Sequence, residues 1–385
     1  MIGICVLGIS GSVGSSTVKV LRRFPSAFQL ISFSVHSQVD LAKSLIREFS
    51  PEVVCITDPT KIGILGNRIE RTDILYGEEN LSKIVELPQV QKVVTAIVGS
   101  IGAKPTIQAI KSKKQIALAN KETLVTFGPL IQKLVKDYQT KIIPVDSEHN
   151  ALFQLLENQN RDNIDSIVLT ASGGSFRNLP MDQLAHVTVS DALNHPTWKM
   201  GPKITVDSAG MVNKALEVIE AHFLFGFPYD KINVVIHPES LTHGMVAFQD
   251  GAYVQYTSHP DMEYPIASAL FYPNSTPAKL FDRTPQSWKS LNFWEPDPNR
   301  YPALALAYQA GMSGGTAPAI LNAANEVAVD LFLKERIPFV KIPKVLEDAL
   351  NSIAIENPTD WEGFWDADQK TRNFVTEKYS REVLI

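Results

Sequence analysis

The sequence predicts an α/β protein with an N-terminal Rossmann-like doubly wound domain, a central α/β domain read below as catalytic, and a C-terminal α-helical bundle. Three observations predict it. Short apolar runs alternate with amphipathic stretches at the start, which argues for a parallel sheet covered on both faces. Strands separated by long polar loops follow. After a proline-rich stretch the remainder has helical spacing throughout.

In order, residues 2–7, 30–35, 53–57, 93–98, 116–119 and 142–145 read as strands, with helices at 15–24 and 40–49 between them. This domain is placed at 1–147. Segments 167–170, 203–206, 234–237 and 253–256 read as strands of the central domain, 148–272, which includes a loop at 194–203. One helix, 211–225, lies among them, with Ser208 expected as its N-cap and Gly226 just past its end. Pro273, Pro277, Pro285, Pro296, Pro298 and Pro302 disfavour helix and central strand, so 273–299 is expected to be an extended linker. Helices at 303–310, 317–334, 342–353 and 367–382 then form a bundle over 300–385.

Composition sets limits. With 385 residues, 44% of them hydrophobic and 20% charged, the chain can bury large cores and is not disordered. A net charge of −5 provides no basic field, so nucleic acid is not expected as a partner. Only Cys5 and Cys55 are present, which excludes a disulfide scaffold and a cysteine zinc site and fits a reducing, cytoplasmic setting. No apolar run reaches the ~18 residues of a membrane span. A strand begins almost at Met1 with no basic segment before it, so no cleaved targeting peptide is expected.

The chemistry-bearing residues lie in loops and at element ends. Gly8, Ser10, Gly11, Ser12, Val13 and Gly14 follow the first strand and open a helix, where backbone N–H groups can approach a diphosphate. A tight turn without a ligand is the alternative. The second strand runs into His36, Ser37 and Gln38, with neither a carboxylate to repel a 2′-phosphate nor an arginine to grip it. The missing carboxylate favours NADPH. Asp146 and Glu148 follow the last strand of the first domain and, in extended chain, project to one side. Such a pair is unfavourable unless a cation or a proton is shared, and all-oxygen ligands suit Mg²⁺ or Mn²⁺. On helix 211–225, Asn213 and Glu217 share a face, and Glu217 offers a third carboxylate. An ordinary i,i+3 salt bridge with Lys214 is the alternative. Ser172, Gly173, Gly174 and Ser175 form a nest after a strand; with His195, Ser208, Asn213 and Lys214 they supply the donors a phosphate needs. Trp198, flanked by Pro196 and Gly201, suggests a lid; simple core packing is the alternative.

These residues, together with Gly99, Gly102, Asn120, Lys121, Glu122, His149, His237, Glu239, Asp261, Met262, Asn322, Asn325 and Glu326 in their order and spacing, resemble the 1-deoxy-D-xylulose 5-phosphate reductoisomerase family. The resemblance implies an NADPH- and divalent-metal-dependent enzyme (Mg²⁺ or Mn²⁺, with Co²⁺ a further candidate). Such an enzyme rearranges and reduces 1-deoxy-D-xylulose 5-phosphate to 2-C-methyl-D-erythritol 4-phosphate in non-mevalonate isoprenoid biosynthesis. It implies Asp146, Glu148 and Glu217 as metal ligands. It implies Ser147, Glu148, Ser172, His195, Trp198, Ser208, Asn213, Lys214, Glu217 and Met262 as substrate contacts, and Lys121, Glu148 and His195 as catalytic groups. It assigns Gly8, Ser10, Gly11, Ser12, Val13, Ser37, Gln38, Asn120, Lys121, Glu122, Met200 and Gly201 to the cofactor, with Trp198 and Met200 in the lid. A homodimer inhibited by phosphonohydroxamates such as fosmidomycin is also implied. Two departures stand out: family members commonly carry Ala-Gly-Arg-Asn where this chain has Val35-His36-Ser37-Gln38, and Gly210 stands where threonine is frequent. The expected mechanism is a metal-assisted retro-aldol cleavage and re-addition followed by hydride reduction of the aldehyde. A metal-independent NAD(P) dehydrogenase of another phosphorylated carbonyl compound is the alternative enzyme. A nucleotide-sensing module without catalysis is the alternative class.

Overall fold

The computed structural model describes residues 1–198, 200–281 and 290–379. Within these the chain forms two compact units. One comprises Met1–Thr123, Ile131–Asn150 and Asp261–Phe281; the other comprises Leu124–Leu130, Ala151–Pro260 and Asp282–Ile385. The sequence boundaries at 147, 272 and 299 divide the chain differently. Lys199 of the expected lid, residues 282–289 of the expected linker and the expected helix end at 380–382 lie outside the described residues.

The first unit is built on β1 (Ile2–Leu7), β2 (Phe28–Val35), β3 (Val53–Ile56), β4 (Arg68–Ile69), β5 (Thr72–Tyr76), β6 (Lys92–Thr95), β7 (Gln115–Leu118) and β8 (Ile142–Pro144). Their order in the sheet is β4-β5-β3-β2-β1-β6-β7-β8. All pairings are parallel except β4 with β5. The apolar runs behind this prediction are largely buried, as a sheet covered on both faces requires. The order reverses at β1, and the carboxyl ends of strands at such a switch point are where a doubly wound sheet binds ligands.

Helix Glu263–Phe271 belongs to this unit although it follows the central segment in sequence. Phe271 meets the rings of Phe24 and Phe28 edge-on, with centroids 5.0 and 4.8 Å apart. Lys92, only 5% exposed, donates to the carbonyls of Leu270 and Tyr272 at 2.6 Å and of Ala269 at 3.4 Å. An ammonium at a helix C-terminus satisfies carbonyls that the helix leaves open.

The second unit contains β9 (Ile164–Ala171), β10 (Ile232–Ile236), β11 (Thr242–Phe248) and β12 (Tyr253–Thr257) in the order β10-β9-β11-β12. β10 runs parallel to β9, and the β9–β11 and β11–β12 pairs are antiparallel. Helices Val212–Phe225, Pro302–Ser313, Ala317–Leu333, Ile342–Ser352 and Trp361–Tyr379 supply most of the remaining core. The long helix Lys121–Tyr138 departs from helical geometry at Phe127, just before Pro129, whose ring cannot follow a straight helix. Phe127 stacks on Trp361 at 4.2 Å, which groups 124–130 with this unit.

Three local expectations need correction. Residues 203–206 are not a strand but part of helix Pro202–Ala209: Gly201 is extended, Pro202 starts the helix, and Lys203 pairs with Asp207 one turn later. Ser208 therefore sits in the last turn of that helix and does not cap Val212–Phe225, whose N-cap is Met211 in left-handed conformation. Asp146 and Glu148 do not share an extended segment. Helix Ser147–Leu156 starts between them, and the Asp146 carbonyl accepts from Asn150 N–H.

Replacing Lys92 with Met is expected to leave the last carbonyls of helix Glu263–Phe271 without their donor and to cost about 1–3 kcal/mol. Urea denaturation followed by circular dichroism measures this, and an unchanged midpoint would refute the role.

Candidate active site

The first unit contributes a glycine cradle. Gly8 follows β1 in left-handed conformation, and a side chain there would strike the Ala96 carbonyl, 2.7 Å from its Cβ position. A Cβ on Gly14 would lie 2.4 Å from the Ile9 carbonyl. These two glycines let the chain turn tightly into helix Ser12–Arg23. At Gly11 a Cβ would come no closer than 3.5 Å to the nearest atom, the Gly8 carbonyl oxygen, so this exposed position needs no glycine for internal reasons. No side chain caps the helix there, so the N–H groups of Ser12 and Val13 at its first turn lack helical partners, while Gly11 N–H donates to the Gly8 carbonyl at 3.1 Å. Ser10 is half-buried beside them. This cradle fits a dinucleotide diphosphate. Ser37 and Gln38 are exposed beyond the end of β2.

Helix Lys121–Tyr138 begins with three buried polar residues. Asn120 caps it, accepting from Thr123 N–H at 2.9 Å, and its amide donates to the carbonyls of Gly99, at 2.8 Å, and Ile97. Both ends of the Asn120 side chain thus shape the loop after β6. Lys121 forms an ion pair with Asp146, and Glu122 is buried next to it in sequence. Ser147 donates to the Glu148 carboxylate, and the His149 ring stands 3.9 Å from Asp146. Met262 is half-buried at the start of helix Glu263–Phe271.

In the second unit a glycine turn follows β9 where the sequence suggests an anion nest. Gly173 and Gly174 are both left-handed after β9, and Gly174 packs so closely on the end of helix Pro202–Ala209 that a Cβ would lie 2.3 Å from the Ser208 carbonyl. The Ser208 backbone is thereby held against the turn that follows Ser172. Gly174 N–H donates to Ser172 Oγ at 3.1 Å. His195 Nδ1 accepts from the N–H groups of Thr197, at 3.1 Å, and Trp198, at 2.9 Å. Its Nε2 must therefore carry the hydrogen and donate to Ser172 Oγ at 3.0 Å. Burial, with the Arg177 guanidinium nearby, pushes this imidazole down to about 4. Trp198 is half-buried and meets His243 edge-on at 6.4 Å; Met200 is half-buried and Gly201 exposed.

Helix Val212–Phe225 carries its charges inside. Glu217 is 1% exposed and Lys214 3%. The two form an ion pair, and Asn213 Nδ2 donates to Glu217 Oε1 at 2.6 Å. The i,i+3 salt bridge is present, but it is buried rather than solvated. Glu220, equally buried on the same helix, carries no spacing signal that distinguishes it in the sequence. Three further residues went unanticipated. Arg177 donates to the Ser172 carbonyl at 2.6 Å and brings a cation to the nest. His243 meets the Trp198 ring, and Ser240 holds a left-handed backbone with its hydroxyl buried and unpaired, although it lies in the His237–Ser240 run that carries part of the family resemblance. At Gly210 a Cβ would meet Phe339 at 3.4 Å and Val212 at 3.7 Å, ordinary contact distances, so the space around it does not demand a glycine.

Three family models match in chain order. That of 1-deoxy-D-xylulose 5-phosphate reductoisomerase matches residues 4–128, and its two C-terminal domain models match 142–225 and 257–374. The 1-deoxy-D-xylulose 5-phosphate reductoisomerase of Leptospira biflexa is 60% identical over 381 residues, covering 99% of both chains. That of Bacillus cereus is 45% identical over 387 residues, covering 98% of this chain and all of the other. A crystal structure of DOX-P reductoisomerase in complex with NADPH, fosmidomycin and magnesium superposes with a TM-score of 0.94 at 36% identity, covering 98% of both chains. The Zymomonas mobilis enzyme in complex with NADPH gives 0.89 at 36% identity, covering 99% of both.

His195 is expected to titrate near 4 rather than 6.5. Its folded value lies below the unfolded one, so its contribution to stability is complete above about 6.5 and is lost as pH falls towards 4. A ¹⁵N NMR titration reads both the Nε2–H tautomer and the midpoint; a midpoint near 6.5 would contradict this geometry.

Proposed function

Starting from the chain's membership of the 1-deoxy-D-xylulose 5-phosphate reductoisomerase family, we propose how its own residues divide the work of that reaction. The enzyme converts 1-deoxy-D-xylulose 5-phosphate to 2-C-methyl-D-erythritol 4-phosphate with NADPH and a divalent cation. The metal-independent dehydrogenase and the non-catalytic sensor are set aside on this ground. The observation that carries the residue assignment is a set of buried or half-buried carboxylates, each already engaged by a donor: Asp146 by Lys121, Glu148 by Ser147, Glu217 by Lys214.

Asp146, Glu148 and Glu217 are the proposed ligands of the cation. Three carboxylates give the hard, all-oxygen set that Mg²⁺ and Mn²⁺ prefer, and ammonium groups stabilise two of them when no metal does. When bound, the cation supplies Lewis acidity at the substrate's carbonyl and hydroxyl oxygens, and NADPH supplies the hydride. Lys121, next to Asp146, is placed to hold and return a proton as the carbon skeleton breaks and re-forms, with Glu148 as its acceptor counterpart. Ser147 orients a substrate hydroxyl. Ser172, His195, Ser208, Asn213 and Lys214 hold the phosphate, with Arg177 raising the local positive potential. Trp198 and Met200 cover the bound substrate, and Met262 and Gly201 are assigned to its surroundings and the cofactor's. The glycine cradle with Asn120 and Glu122 serves the dinucleotide.

We place the enzyme in the cytoplasm as a homodimer. Both cysteines are buried thiols, in keeping with a reducing compartment. Among the described residues no helix is long and apolar enough to cross a membrane. Strand β12 ends its sheet with Tyr253 65% and Val254 48% exposed. An apolar sheet edge of this kind is covered in stable proteins, and a second copy is the proposed cover.

Oxidation of NADPH in the presence of the ketose phosphate, with and without Mn²⁺, tests the division of roles. Glu217→Gln is expected to lower metal affinity and turnover by at least the roughly 10–100-fold typical of disturbed metal sites, while NADPH binding stays intact. Unchanged activity at limiting Mg²⁺ would remove Glu217 from the ligand set. Val254→Asp is expected to shift the enzyme towards monomer in sedimentation velocity, and an unaltered dimer would free this edge from the interface.

A further inference from the structure

We propose that His36 is the residue that reads the cofactor's 2′-phosphate, in the run where the family commonly has Ala-Gly-Arg-Asn and where Ser37 takes the arginine's own position. His36 is the first residue past β2, at the strand end where a doubly wound domain holds the adenosine ribose. It is exposed, and its ring is held from one side: Nδ1 lies 3.0 Å from Thr57 Oγ1 at the end of β3. The main chain is fixed as well, since the His36 carbonyl accepts from Asp58 N–H at 3.2 Å. With Nδ1 engaged, Nε2 is the ring atom left to meet a ligand.

The surroundings suit a dianion. The carboxylate nearest in sequence on the facing loop is Asp58, and its Oδ1 is already committed to Thr60, accepting from N–H at 2.8 Å and from Oγ–H at 2.7 Å. Those bonds, then the nearby His36 and Lys61, hold its carboxyl below the usual range. Asp40 is fully exposed with Lys43 3.8 Å away. Helix Val39–Phe49 follows Gln38 with no side-chain cap; Val39 N–H donates to the Ser37 carbonyl at 2.9 Å, which leaves the N–H groups of Asp40 and Leu41 without helical partners at the same strand end. A dianionic monoester meets an imidazole, a hydroxyl and backbone donors here. An imidazole offers one N–H where a guanidinium offers a fork, so preference for NADPH over NADH should be real but weaker than arginine would give.

This inference rests on the NADPH reading, and equilibrium titration separates the two. NADPH and NADH are titrated into the full-length enzyme by fluorescence, with adenosine 2′,5′-bisphosphate and adenosine 5′-monophosphate as competitors. Wild type is expected to prefer the 2′-phosphorylated member of each pair. His36→Ala should weaken NADPH and the bisphosphate about tenfold and leave NADH and the monophosphate within about twofold. His36→Gln keeps a partner for Thr57 and should show the same selective loss; His36→Arg should restore or tighten NADPH. Equal weakening of both nucleotides, or of neither, would overturn the role of His36 while leaving NADPH dependence standing. Failure of wild type to bind either nucleotide would overturn both.

Discussion

Buried charge is the constraint on which the rest depends. Glu217 and Lys214 lie inside the second unit on one helix, and Lys121 is buried beside Asp146 in the first. Each ion removed from water costs several kcal/mol unless a partner compensates, and well-packed apolar residues would serve stability as well or better. These pairs therefore point to chemistry rather than to architecture. Much of the second unit's polar interior holds the ground around them. Asn325 and Lys203 both bind Asp207, Tyr301 holds the Gly173 carbonyl, and Arg300 holds those of Phe176 and Leu179.

The parallel sheet was legible because its strands are buried on both faces and read as unbroken apolar runs. The helices after residue 300 were legible for the equivalent reason, an apolar stripe at helical spacing. Local competition decided the failures. Residues 203–206 have the apolar character of a short strand, yet Pro202 and the Lys203–Asp207 pair commit them to helix. Alternation around Asp146 and Glu148 broke because a helix begins at Ser147, one residue after Asp146. The membership of 124–130 and 263–271 was not legible at all, since it comes from packing between residues far apart in sequence: Phe127 on Trp361, Phe271 on Phe24 and Phe28.

The candidate site was legible where residue types cluster in sequence. The glycine turn, the Asp146–His149 run and the Ser172–Ser175 nest each declare a chemistry within a few residues. Glu217 needed its spacing from Asn213, and only burial separates it from an ordinary surface glutamate. Arg177, Glu220 and His243 had no such neighbours. Asn120 shows the opposite case: a residue marked by family resemblance spends its side chain on capping a helix and bracing the Ile97–Gly99 main chain.

The hydrogen-bond directions around Ser172 carry the reasoning one step further. Its Oγ accepts from both Gly174 N–H and the neutral His195 Nε2–H, so the hydroxyl's own hydrogen remains to be donated to a third oxygen. That polarity depends on His195 keeping its lone pair at Nδ1, which the N–H groups of Thr197 and Trp198 require. A protonated ring could not accept them, and the chain leading to Trp198 would lose its anchor. One neutral imidazole thus fixes both the donor proposed to face an anionic substrate and the first residues of the segment proposed to cover it.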